Sequence, residues 1–210
     1  MKEKKEKSII YYTDNTLDHT DMNNKVKDII REAGLPTISI SRRKRNDFDK
    51  NWFFQGPRDS LAILLQIMFG LEKSESETVF LAEHDVLYPK EHFELVTNGI
   101  GYNTSVYRLT EKGYIKRGEM EFPMATLFGK RDLLIEAIRK KIAVWDLGKF
   151  FLEPGRNDGI KVEFYRTEIP VIDIRHNSNF TYWRTRGKIV ESVPRWGRYR
   201  KLRKRLGLKL

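Results

Sequence analysis

Ser8-Ile9-Ile10-Tyr11-Tyr12-Thr13 is an unbroken run of β-branched and aromatic residues, and Asp14 ends it. A run with no polar alternation predicts a strand buried on both faces of a parallel sheet. The segments downstream agree with that placement. Asp21 to Ala33 carries Met22, Val26, Ile29, Ile30 and Ala33 at helical spacing, with Thr20 placed to cap its start and Gly34 to stop it before Pro36. Thr37 to Ser41 predicts a second strand, Asp59 or Ser60 caps a second helix through Glu72, and Thr78 to Ala82 predicts a third strand. The order βαβαβ implies an α/β fold whose mostly parallel sheet has right-handed crossovers and a ligand site beyond the carboxyl ends of its strands.

Between the second strand and second helix lies a polar stretch, Arg42 to Gly56, holding the cluster Arg42-Arg43-Lys44-Arg45 and predicted to be a long functional loop. After Tyr88 the pattern becomes mixed. A short helix near Lys90 to Phe93, a strand over Gly101 to Leu109, a helix from Arg131 to Val144, and strands near Val162 to Arg166 and Val171 to Arg175 are expected. This divides the chain into a catalytic-type domain over 1–184, with halves 1–88 and 89–184, and a basic extension over 185–210.

The composition limits what such a domain can be. Among 210 residues there are 12 Phe, 9 Tyr and 4 Trp, enough large apolar surface for a real core despite 33% charged residues. The longest apolar run, Leu61 to Leu71, is broken by Gln66 and falls short of the roughly 18 to 20 residues that span a bilayer, so integral membrane association is not expected. The start, with only Ile9 to Thr13 as an apolar stretch, does not resemble a signal-peptide core. The absence of cysteine removes disulfides, thiolate nucleophiles and cysteine-ligated metals, and fits a cytoplasmic location, the host cytoplasm if the chain is phage-encoded. The net charge is +11, and nearly all of it lies from Arg184 onward, where eleven basic residues face the single acid Glu191. A nearly neutral body with a cationic end suits an anionic partner, either nucleic acid or an anionic membrane.

Two acidic strand ends should share the functional rim. Asp14 closes the first strand, and Glu83-His84-Asp85 follows directly on Val79-Phe80-Leu81-Ala82. Carboxylates placed there suit a hard divalent cation completed by substrate phosphates, although acids after strands also cap turns. His176 closes Val171 to Ile174 and is either a further ligand or a hydrogen-bonded histidine, while His19 and His92 read as structural or solvated. No Gly-x-Gly-x-x-Gly, Walker A, His-Glu-x-x-His or Gly-x-Ser-x-Gly motif occurs, so dinucleotide, P-loop, zincin and α/β-hydrolase chemistry lose their main support.

Several segments together carry a resemblance: Ile9 to Asn15, Phe80 to Pro89 with His92-Phe93, Tyr102-Asn103-Thr104, Glu153-Pro154-Gly155, and Asp173 to Thr181. They resemble a group of small phage and bacterial glycosyltransferases of the GT-A fold, over residues 9 to about 184. The resemblance implies a nucleotide-sugar donor, most simply a UDP-sugar, held through Mn²⁺ or Mg²⁺ by an Asp-x-Asp-type motif to which Glu83-His84-Asp85 is similar. It implies Asp85 as the direct metal ligand and His176 as the ligand that completes the ion. Thr13, Asp14 and Asn15, with Glu83 and His84, would then bind the nucleotide sugar. The candidates for the base that accepts the acceptor proton are Glu153 and Asp158, in the loop Glu153 to Gly159.

The acceptor has to be read from the basic end. Arg195, Arg198, Arg200, Lys201, Arg203, Lys204 and Arg205 alternate with Trp196 and Tyr199, which suits phosphate neutralisation combined with stacking, and Arg42, Arg43, Lys44 and Arg45 add to the same expected DNA contact. The favoured acceptor is therefore DNA carrying a hydroxymethylated pyrimidine. Tyr199, Leu202 and Leu206 also fall at helical spacing, so an amphipathic helix on a membrane, serving a cell-surface glycan or lipid-linked acceptor, is the alternative. A non-catalytic nucleic-acid-binding protein and a metal-dependent nuclease are the readings outside this class.

Overall fold

The computed structural model describes residues 6–18, 20–118, 122–145, 152–176, 179 and 187–209. The expectations for His19, for Arg184 and Arg186, and for most of Asn177 to Thr181 lie outside them. The first strand, β1 (Lys7–Thr13), lies inside a seven-stranded sheet. Beside it run β2 (Thr37–Ser41), β3 (Lys50–Phe53) and β4 (Thr78–Glu83), followed by β6 (Ile100–Asn103), β9 (Leu127–Lys130) and β10 (Glu163–Tyr165), in the order β10-β6-β9-β4-β1-β2-β3. Every neighbouring pair is parallel except the two that involve β9. The carboxyl ends of β1, β2, β4 and β6 therefore open onto one rim.

The alternation of β1 builds two cores at once. Ile9 and Tyr11 face α1 (Asp21–Glu32) and its buried Met22, Val26 and Ile30, while Ile10 and Tyr12 face α2 (Ser60–Lys73) and α4 (Arg131–Ala143). That two-sided burial is why no polar residue interrupts the strand. Thr20 caps α1 through the Asn23 amide and Asp59 caps α2 through the Ala62 amide, as their residue types allow. α2 lies close against β1, since a Cβ at Gly70 would come within 2.6 Å of Ile10 Cγ2. Gln66, the one polar break in the apolar run, is buried and donates to the carbonyls of Thr13 and Ile40 at 3.1 and 3.4 Å. It ties together the carboxyl ends of β1 and β2.

A second sheet, β12-β8-β7-β11-β5, is built from β5 (Val86–Leu87), β7 (Val106–Leu109), β8 (Tyr114–Lys116), β11 (Val171–Ile174) and β12 (Ile189–Val190). It joins the α1-side core through Val86, Val106, Leu109, Val171, Ile172 and Ile174. The single strand expected over Gly101 to Leu109 is thus two strands in two sheets. The break falls at Thr104 and Ser105, where the Asn103 side chain accepts from the Ser105 amide and the Thr104 amide donates to Tyr165. The stretch Arg42 to Gly56, expected as loop, contains the parallel edge strand β3; its outer side has no partner strand, so polar and exposed residues are tolerated there. After the short helix α3 (Lys90–Glu94), the sequence reading also passes over β8 and β9, which are three and four residues long.

The basic end is folded. Beyond β12, a hairpin of β13 (Ser192–Val193) and β14 (Gly197–Arg198) leads into α5 (Tyr199–Arg205). Val193, Tyr199, Leu202 and Leu206 are buried in the α1-side core, and Trp196 Nε1 donates to the Pro170 carbonyl at 2.7 Å. The apolar face that the membrane alternative requires is consumed by the protein's own core.

Candidate active site

Asp14 leaves β1 onto the rim and is held from three sides. Its Oδ1 accepts from the Thr16 amide and hydroxyl at 3.0 and 2.7 Å, its Oδ2 accepts from Arg58 at 2.5 Å, and His84 Nε2 lies 3.6 Å from Oδ1. Partial burial acts to raise its pKa, but His84 and these hydrogen bonds outweigh that and hold the carboxyl below its usual value. Asn15, the next residue, is buried and takes the left-handed conformation at φ 65°, which asparagine tolerates better than most side chains. Its side-chain Nδ2 donates to Asp18, its Oδ1 accepts from the Arg42 amide at 2.6 Å, and its backbone amide donates to the Thr13 hydroxyl. This turn fixes the loop after β1 to the loop after β2.

At the end of β4 the three residues Glu83, His84 and Asp85 have separate environments. Glu83 lies on the α2 side, where the Tyr12 hydroxyl donates to its carboxylate and its own amide donates to the Tyr88 hydroxyl at 2.9 Å. Burial first, and then the negative charge of Asp85, push the Glu83 carboxyl well above the ordinary range. Burial and Glu83 in turn keep the Tyr12 phenol protonated, so it acts as the donor.

Asp85 is buried in the turn after β4 and meets residues from the end of β11. Its Oδ2 lies 3.2 Å from His176 Nε2 and accepts from Asn179 Nδ2 at 2.8 Å; Asn179 also accepts from the His176 amide at 2.7 Å. The backbone joins the same two elements, because the Ile174 amide donates to the Asp85 carbonyl. Burial acts to raise the Asp85 pKa, yet His84 and the hydrogen-bonded His176 bring it below its ordinary value, so the carboxylate is ionised. One ligand atom from each of His84, Asp85 and His176 lies within 4.8 Å of the others. Two imidazoles and an ionised carboxylate fit a divalent cation in both charge and donor type.

The structure brings Thr13, Asp14, Asn15, Glu83, His84, Asp85 and His176 to one rim, and adds Arg58 and Asn179. Neither addition has a strong sequence signal, although Asn179 stands three residues after His176. Glu153 and Asp158 share a loop behind Tyr102, whose hydroxyl donates to the Pro154 carbonyl. Asp158 accepts from the Gly155 and Ile160 amides and pairs with the buried Lys141 at 2.7 Å, whereas Glu153 has Arg156 at 3.7 Å.

The basic residues divide into two kinds. Arg45 is largely enclosed between Asp18 and Asp47, with Lys27 also on Asp47 at 3.1 Å, and Arg42 donates to the Gly56 carbonyl. Those two brace the rim loops, while Arg43 and Lys44 are exposed. In the C-terminal segment Arg203 is buried on the Lys209 carbonyl, and Arg195, Arg198, Arg200, Lys201, Lys204 and Arg205 face solvent.

Neither a protein-family model nor a curated protein matches this sequence. Among solved structures, the fragment 1–349 of S. aureus TarS is similar with a TM-score of 0.50 at 10% identity, covering 80% of this chain and 60% of that one. A glycosyltransferase involved in glycosylation of the major capsid of PBCV-1 aligns with a TM-score of 0.49 at 11% identity, over 80% of this chain and 93% of that one. The bifunctional IspDF of Campylobacter jejuni also has a TM-score of 0.49, at 14% identity over 78% of this chain, which spans half the length of that protein. The sheet order and the likeness to the TarS fragment make this a GT-A-like α/β fold.

Proposed function

We propose that the chain is a metal-dependent glycosyltransferase that moves a sugar from a nucleotide sugar, most simply a UDP-sugar, to a hydroxyl on DNA, with a hydroxymethylated pyrimidine as the favoured acceptor. The observation that supports the transfer reading is the convergence of His84, Asp85 and His176 beside the Asp14–Asn15 turn, at the carboxyl edge of a GT-A-like sheet. Mn²⁺ or Mg²⁺ held there would neutralise the leaving diphosphate as a Lewis acid. Asp14, Asn15 and the β2 loop are arranged to hold the nucleoside end, with Arg58 fixing Asp14. Glu153 is the base we favour, since Asp158 is already engaged by two amides and Lys141.

The DNA acceptor rests on electrostatics. Six solvent-facing cations are carried on a segment whose apolar side chains are already buried, which suits phosphate contacts better than insertion among lipids. No helix among the described residues is long and apolar enough to cross a membrane. The test is incubation with a panel of nucleotide sugars and a divalent cation, reading released nucleotide with and without hydroxymethylated DNA. Metal-dependent release stimulated by that DNA supports the proposal. Release stimulated only by lipid-linked or glycan acceptors refutes the DNA assignment, and no release with any donor refutes the transfer reading.

A further inference from the structure

We infer that the third protein ligand of the cation centre is His84 rather than Glu83, so that two imidazoles and one carboxylate hold the ion and the site favours nitrogen-seeking divalent cations over Mg²⁺. The inference rests on the reading that this cluster binds a divalent ion, and it specifies which ions and through which atoms. Their partners separate the two candidates. Glu83 is the last residue of β4, and the Tyr12 hydroxyl occupies its carboxylate. His84 stands in the turn that follows β4, and one of its ring nitrogens lies within 4.8 Å of ligand atoms of Asp85 and His176.

The ligand spacing agrees with a single ion. Donor atoms about 2.0 to 2.2 Å from a common ion are at most about 4.4 Å apart, and the cluster, at 4.8 Å or less, needs only small side-chain rotations to reach that. Outer partners are also present. Asp14 lies 3.6 Å from His84 Nε2, and Asn179 holds both Asp85 and His176. Such carboxylate and amide neighbours orient ligands around a metal. A centre made only of carboxylates would serve Mg²⁺ as readily as Mn²⁺. Two imidazoles change the order, because nitrogen donors gain more from Co²⁺, Ni²⁺ and Zn²⁺ than from Mn²⁺, and least from Mg²⁺.

Titration calorimetry on the full chain with the metal ions alone tests this, with Co²⁺ absorption as a spectroscopic readout of nitrogen ligation. Co²⁺ should bind roughly 100-fold or more tighter than Mg²⁺, with Mn²⁺ between them, following the donor preferences of these ions. His84→Asn should lower Co²⁺ affinity by about 30-fold or more, and Glu83→Gln by less than about 3-fold, as expected for loss of a ligand against loss of a non-ligand. His84→Asp should narrow the gap between Co²⁺ and Mg²⁺ by exchanging a nitrogen for an oxygen. Circular dichroism of each variant separates misfolding from lost ligation. Equal Mg²⁺ and Co²⁺ affinity, a loss confined to Glu83→Gln, or no saturable binding would each overturn the inference. None of these readouts uses turnover, so donor-dependent nucleotide release can stand or fall separately.

Discussion

His92 provides a direct check on the packing that supports the rim. Its ring is fully buried among Phe80, Tyr88, Phe93 and Phe128, with the Asn103 amide nitrogen 3.4 Å from Nδ1, and Nε2 has no hydrogen-bond partner among the described residues. Burial alone lowers its pKa from 6.5 to about 3, so the folded protein holds it neutral. A group with a depressed folded pKa that is charged when protonated favours the unfolded state as protons become available. Its stabilising contribution is complete above 6.5 and is lost as the pH falls towards 3. Between pH 7 and pH 5 that loss is about 2 kcal/mol, at about 1.36 kcal/mol for each unit below the unfolded pKa. Glu83 acts in the opposite direction: its raised pKa gives stability at low pH that is lost as the pH rises through the raised value. The two tend to cancel, so the unmodified chain should show a shallow profile that by itself reveals little. His92→Leu removes one side of the cancellation. Urea unfolding at pH 5, 6 and 7 should show this variant gaining about 2 kcal/mol relative to the parent on going from pH 7 to pH 5. An unchanged difference between the two proteins across that range would mean that His92 is solvated or charged in the fold, and would refute the described packing beneath Tyr88 and Glu83.

Other predictions test the site and its supports. Asp85→Asn should abolish cation-dependent nucleotide binding, measured by calorimetry, while far-UV circular dichroism is preserved. Arg45→Met should cost about 2 kcal/mol in urea unfolding by removing the guanidinium between Asp18 and Asp47, which keep only Asn15 and Lys27, and should leave the salt dependence of DNA binding unchanged. Neutralising Arg198, Arg200, Lys201, Lys204 and Arg205 together should flatten the plot of log K for DNA against log salt by up to about 0.9 for each phosphate that is no longer neutralised, read by fluorescence anisotropy. Gly70→Ala should destabilise the fold by about 1 to 3 kcal/mol, because the added methyl meets Ile10 at 2.6 Å.

The contrast between Arg45 and its neighbour Lys44 shows where sequence reading stops. Four adjacent cations, Arg42 to Arg45, look alike as charge, and composition alone assigns them one role. The fold separates them, because Asn15 in its left-handed turn captures the Arg42 amide and Asp18 and Asp47 enclose Arg45, leaving only Arg43 and Lys44 to solvent. Asn15 and Asp18 each stand 27 residues before the cation they hold, a separation no local pattern encodes, and only Asp47 is a near neighbour of Arg45 in sequence. By contrast β1 was legible because burial on both faces leaves no polar residue in the run, and α1 because one buried face imposes a helical spacing on its apolar residues. β3 was hidden for the converse reason, since an edge strand needs no apolar alternation. α5 lies between these cases. Its spacing of Tyr199, Leu202 and Leu206 was readable, but whether that face met lipid or protein depended on an uncovered patch of the α1-side core. The same logic applies at the cluster of His84, Asp85 and His176: the tripeptide Glu83-His84-Asp85 is visible in the sequence, yet which of its members meets His176 is set by the turn after β4 and by Tyr12 on the neighbouring strand. The grouping of these side chains is therefore a property of that turn and of the end of β11, and it is at this cluster that a change of one side chain most directly reports whether the rim is a metal centre.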